Sequence, residues 1–182
     1  MTKKIILAAG LYRSGSTWQF NALRLILKNS NVSFYSCWEQ DYNPENEAEY
    51  HLVKVHRFRK NLYNNADFVF TSFRDIDEIR ISMHNRSKDK EAQNGFQNET
   101  RFTKLSIYIV DLLKYQRKSN FMLWYPQIKT EAKEVIKAMA NELKLDVDVR
   151  TVDIQLKEMK PPTDQRFDPV TLLHRNHITT KQ

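Results

Sequence analysis

Short apolar runs alternate with amphipathic stretches along this chain, and a polar loop bracketed by glycines follows the first run. Together these predict an α/β fold, a three-layer sandwich with a mostly parallel central sheet flanked by helices, of P-loop-like type. The first run, residues 5–9, is continuous and closes on Gly10, as a strand buried on both faces of a parallel sheet does. Further strands are expected at 32–37, 52–56, 68–73 and 121–125, each rich in aromatic or β-branched residues. Helices are expected at 75–85, 102–117 and 130–143, where apolar residues return every three or four positions.

In chain order, the first strand leads through a polar loop into a helix carrying Trp18, Leu23, Leu25, Ile26 and Leu27 up to Lys28, with Thr17 as its expected N-cap. Residues 87–100 are almost wholly polar apart from Gly95 and Phe96, and read as an exposed connection between two helices. Pro161-Pro162 separates the body from a C-terminal tail. A length of 182 residues with 41% hydrophobic content suits one domain, 1–182, with one core.

Composition narrows the function classes. The apolar segment after Met1-Thr2-Lys3-Lys4 is far shorter than the roughly 18 residues a membrane span needs, and no signal-peptide cleavage pattern follows it. Cys37 is the only cysteine, so no internal disulfide and no cysteine-held metal is expected, and a cytoplasmic location fits. Asn31, Asn85 and Asn98 open Asn-x-Ser/Thr triplets, which carry no weight without a secretory route. A net charge of +7 favours anionic ligands in general: nucleotides, sulfated glycans, nucleic acid or acidic headgroups.

Three sites carry chemistry. Gly10 and Gly15 bracket Leu11-Tyr12-Arg13-Ser14-Gly15-Ser16-Thr17 at a strand-to-helix junction, where outward amides and a helix N-terminus suit an anion. The loop lacks the Gly-Lys-Ser/Thr ending of nucleoside-triphosphate P-loops. The expected strand 68–73 runs into Arg74, with Ser82 two helical turns on; a guanidinium and a hydroxyl so spaced can converge on one phosphate. In the strand 52–56, Lys54 and His56 share a face because strand side chains alternate.

Arg13-Ser14-Gly15-Ser16-Thr17-Trp18 resembles the 5′-phosphosulfate loop of sulfotransferases, which usually reads Lys-Ser-Gly-Thr-Thr-Trp. Arg74 and Ser82 resemble the pair with which that family grips a 3′-phosphate, and Lys54-x-His56 resembles its strand-end Lys-x-His. The resemblance implies transfer of a sulfuryl group from 3′-phosphoadenosine-5′-phosphosulfate (PAPS) to a hydroxyl or amine acceptor, leaving 3′-phosphoadenosine-5′-phosphate (PAP). It implies His56 as general base, with an unperturbed pKa of about 6.5. Arg13 and Lys54 would stabilise charge in transfer, and Arg13, Ser14, Gly15, Ser16, Thr17, Trp18, Arg74, Ser82 and Arg175 would hold the nucleotide, with Trp18 on the adenine. No metal is required, and a small-molecule or saccharide acceptor is implied, with residues 87–100 as a plain connection or an acceptor lid.

This chain departs from the family in three places. Arg13 replaces the usual lysine, Tyr125-Pro126-Gln127-Ile128 stands where relatives have Tyr-Glu-Asp-Leu, and the segment around Arg175 lacks the usual glycines. Two other classes remain at this point: a P-loop phosphotransferase using ATP and magnesium, and a basic nucleic-acid or glycan-binding module drawing on Tyr35, Trp38, Tyr63 and Phe96. The aromatics show no regular interleaving with basic residues, so no nucleic-acid partner is expected.

Overall fold

The structure, a computed structural model, describes residues 3–91, 99–165 and 167–174, and within 84–104 the backbone alone. Its strands are β1 (Lys4–Gly10), β2 (Phe34–Trp38), β3 (Tyr50–Val55), β4 (Phe68–Phe73) and β5 (Phe121–Trp124). Its helices are α1 (Ser16–Asn29), α2 (Lys60–Asn65), α3 (Ile76–Glu91), α4 (Glu99–Gln116), α5 (Gln127–Thr130), α6 (Ala132–Leu143) and α7 (Val149–Glu158). The five strands form one sheet in the order β2-β3-β1-β4-β5, with every pairing parallel. This is the architecture expected from the alternation of runs and periodic stretches.

Strand alternation divides the core between two faces. Ile6 and Ala8 of β1, Leu52 of β3, Phe70 of β4 and Leu123 of β5 face Phe20, Leu23 and Leu27 of α1, Ile136 and Met139 of α6, and Val152 of α7. Leu7, Ala9, Val53, Val55 and Val69 face the other way, onto Tyr115 of α4 and the partly buried Leu62 and Tyr63 of α2. Phe20, Leu23, Leu27, Leu52, Phe70 and Ile136 among them have no accessible surface, so each contributes about 1.5–3 kcal/mol of burial.

Four expectations need correction. The N-cap of α1 is Gly15, with φ 86°, not Thr17, which lies one residue inside the helix. The stretch 87–100 is not all loop: α3 runs on to Glu91 and α4 begins at Glu99, and only the remainder, 92–98, lies outside the described residues. Asp75 precedes α3 instead of opening it, its Oδ1 accepting from the amides of Asp77 at 2.9 Å and Glu78 at 3.1 Å. Beyond Pro161-Pro162 the chain returns to the body: Leu172 is buried in the α1 side of the core, and Asn21 Nδ2 donates to Thr171 O at 2.7 Å. Three helices, α2, α5 and α7, have no counterpart in the sequence reading.

Candidate functional site

β1 is the middle strand, and the connection leaving it crosses to β2 while β4 lies on its other side. The carboxyl ends of β3, β1 and β4 therefore share one rim at a point where strand order reverses, the usual place for a ligand crevice in such sheets. Lys54 and His56 lie at the end of β3, the loop 11–15 follows β1, and Arg74 follows β4.

The loop turns through two left-handed residues, Arg13 at φ 66° and Gly15 at φ 86°. Glycine takes that conformation without a side-chain penalty, whereas Arg13 holds it under strain. Space also reserves both glycines: a Cβ on Gly15 would lie 2.6 Å from Ile128 Cδ1, and one on Gly10 would lie 2.1 Å from Ser72 Oγ. Ser14 ties the turn down, its Oγ donating to Leu11 O at 2.7 Å and lying 2.9 Å from Ser72 Oγ. No side chain caps α1, and the first amide served beyond the turn is that of Gln19, which donates to Gly15 O at 3.0 Å. The first-turn amides thus face the rim with the positive end of the helix dipole behind them.

Lys54 is buried to 2% exposure, and its Nζ donates to Thr17 Oγ1 at 2.6 Å. Among the described residues no carboxylate forms an ion pair with it. Burial without a counter-charge pushes its pKa down to about 7. A cation in that position beside an uncapped helix terminus is a site an anion would complete.

His56 lies just past the last residue of β3 and is 7% exposed. Its Nδ1–H donates to Gly10 O, which leaves Nε2 with the lone pair. Burial, then the neighbouring Lys54 charge, push its pKa down to about 3, only partly offset by the Gly10 bond. The imidazole is therefore neutral at physiological pH. Trp38 joins the two residues: its ring is 5.1 Å from the His56 ring and 5.4 Å from Lys54 Nζ.

The remaining predicted residues are placed as follows. Ser82 accepts from Arg13 Nε at 2.9 Å, so the structure brings Ser82 to the loop arginine. Arg74 Nε donates to Glu78 Oε2 at 2.6 Å, and its guanidinium lies 4.0 Å from the centre of the Tyr125 ring. Trp18 is partly buried against the α1-side core. Arg175 lies outside the described residues.

Sequence reasoning gave no role to Tyr12, Tyr108 or Tyr125, all of which meet the site. The Tyr12 ring lies tilted over His56, with ring centres 4.0 Å apart, and meets Tyr108 edge-on at 4.8 Å. Tyr125 closes over Gly15, 3.1 Å from where its Cβ would be. Position alone could have flagged Tyr12, which immediately precedes Arg13, and Tyr125, which ends the expected last strand. Tyr108 carries no such signal, since it is one apolar position among several on α4.

No family model and no curated protein matches the chain. Solved structures do. Retinol dehydratase in complex with retinol and PAP is similar over 88% of this chain and 65% of its own, at a TM-score of 0.61 and 14% identity. Retinol dehydratase with androsterone and PAP matches at a TM-score of 0.61 and 12% identity over 86% of this chain and 65% of its own. A mouse sulfotransferase complexed with PAP matches at a TM-score of 0.60 and 10% identity, over 87% of this chain and 68% of its own. The chain thus spans about 65% of the length of the first two. At these identities the likeness is one of architecture, and the chain has the fold of these PAP-bound retinol dehydratase and sulfotransferase structures.

Proposed function

We propose that this protein is a sulfotransferase that takes a sulfuryl group from PAPS and delivers it to a hydroxyl or amine acceptor. The observation that carries the reading is Lys54, a buried cation without a carboxylate, hydrogen-bonded to Thr17 beside the uncapped start of α1. Those features fit the 5′ end of the nucleotide. PAPS when bound supplies the activated sulfuryl group.

The residues divide the remaining work. Ser14, Gly15, Ser16 and Thr17 offer amides and hydroxyls to the 5′-phosphosulfate, and Lys54 and Arg13 balance its charge. Arg74 and Ser82 are assigned to the 3′-phosphate, which requires Arg74 to exchange Glu78, and Ser82 to exchange Arg13, for the ligand. Trp18 and Arg175 complete the assigned nucleotide contacts. His56 Nε2 takes the proton of the acceptor, while its Nδ1–H stays on Gly10 O and holds the tautomer. The depressed pKa keeps Nε2 unprotonated in the free protein and also lowers its basicity there. Tyr12, Trp38 and Tyr108 would wall the acceptor side; retinol and androsterone occupy two of the fold neighbours, and a small organic acceptor suits such a wall. Among the described residues no helix is long and apolar enough to cross a membrane, and a cytoplasmic enzyme is the proposal.

The test is calorimetric titration of PAP into wild type and Lys54→Met, without and with magnesium, and with ATP as competitor. Wild type is expected to bind PAP in preference to ATP, and the variant to lose at least tenfold, about 1.4 kcal/mol. No binding of PAP, or preference for ATP with magnesium, overturns the sulfotransferase reading in favour of a phosphotransferase.

A further inference from the structure

We propose that Tyr12 is a positioning residue for His56, its ring covering the imidazole so that the base stays dry and held on Gly10 O. The inference rests on the reading of His56 as the base, and concerns a residue outside the phosphate contacts of the loop. His56 is 7% exposed while Tyr12 is 39% exposed, and the Tyr12 ring centre lies 4.0 Å from the imidazole centre at an interplanar angle of 42°. The more exposed ring therefore shields the less exposed one. Trp38 supplies the second aromatic neighbour at 5.1 Å and 68°.

The backbone explains why Tyr12 arrives there. Arg13, at φ 66°, reverses the chain immediately after it; the Arg13 side chain goes to Ser82 on α3, while Tyr12 lies across the end of β3. Its phenol is tied to Tyr108 of α4, and a hydrogen bond there, after burial, raises its pKa. Tyr108 is in turn braced by Arg57, whose guanidinium lies 5.5 Å from the ring centre and whose Nε donates to Asp111 Oδ2 at 2.7 Å.

The charged and titratable groups around His56 come from each element packed there. Lys54 on β3 opposes protonation. Glu39, past the end of β2, is engaged by Arg59 at 3.0 Å, and Asp111 on α4 by Arg57 and Lys114. Tyr12, whose pKa is raised by burial, is a neutral phenol. Among the described residues no carboxylate without an ion pair therefore stabilises the imidazolium, and exclusion of water by Tyr12 is what remains to be removed.

The experiment is an NMR titration of the His56 imidazole in the ligand-free full chain, for wild type, Tyr12→Phe and Tyr12→Ala. Tyr12→Ala is expected to raise the His56 midpoint by about one unit or more as water reaches the ring, and Tyr12→Phe to leave it near the wild-type value. Tyr12→Asn, polar and ringless, is expected to act as alanine does and serves if the alanine variant does not fold. A midpoint unmoved in both ringless variants, or raised as far by phenylalanine as by alanine, overturns the proposal. The readout needs neither nucleotide nor acceptor, so failure of PAP binding and failure of this proposal are separate results.

Discussion

Gly15 is held by two independent constraints, a left-handed φ of 86° and side chains of Ile128 and Tyr125 where a Cβ would go. Gly15→Ala is expected to destabilise the fold by about 2–3 kcal/mol, adding conformational cost to overpacking, as read from urea unfolding midpoints. Lys54 makes a pH-dependent prediction. Its pKa is about 7 in the free protein against 10.5 ordinarily, and a phosphate beside it restores the ammonium. Above pH 7 the free amine is increasingly neutral while the bound one is charged, so PAP binding takes up a proton and weakens as pH rises towards 10. Calorimetry at about pH 8 in buffers of differing ionisation enthalpy reads this; absence of uptake would place Lys54 away from the ligand. At this scale the sequence showed Lys54 and His56 through strand alternation, and Gly15 through its place between strand and helix. Its place beside Arg13 could have flagged Tyr12, but its contact with His56 follows from the left-handed backbone of Arg13, which no spacing records.

Elements were legible where burial forces a pattern. β4 follows its apolar run residue for residue, and β1 extends its run by one residue at each end. β2 begins two residues late and β3 stops one residue short of His56, because strand ends follow hydrogen bonding more than composition. α7 was missed because its buried face is narrow: Val152 and Asp153 are its buried residues, and Asp153 looks like a surface residue until its 2.8 Å contact with Lys157 is seen. α2 buries nothing fully and spans six residues, too few for periodicity to register. Val152 nevertheless anchors α7 to the core with no accessible surface. Val152→Ala is expected to cost about 2 kcal/mol from lost methyl groups and the cavity they leave, measured by chemical denaturation, with PAP binding unchanged because α7 lies away from the rim.

On the scale of the whole molecule, charge of +7 and the absence of repeats pointed to one anion-binding domain, but the return of the chain after Pro161-Pro162 did not show. Leu172 reaches the core from a turn made by Asp168, whose Oδ2 accepts from Thr171 Oγ1 at 2.6 Å, and the short apolar stretch Val170-Thr171-Leu172-Leu173 is too brief to give a periodic signal. Truncation after Lys160 is expected to lower stability by about 2 kcal/mol or more, as loss of a buried leucine does, and to increase hydrogen exchange in α1 beside the uncovered contact. Finally, Gly10 closes β1, begins the loop and accepts the His56 hydrogen bond with its carbonyl. His56 and the loop thus meet at a single peptide unit, which acts as a ruler cut into the sheet. That unit ends β1 and His56 directly follows β3, its paired neighbour, so the spacing between imidazole and loop is set by sheet pairing and one hydrogen bond, and it holds for as long as those two strands stay paired.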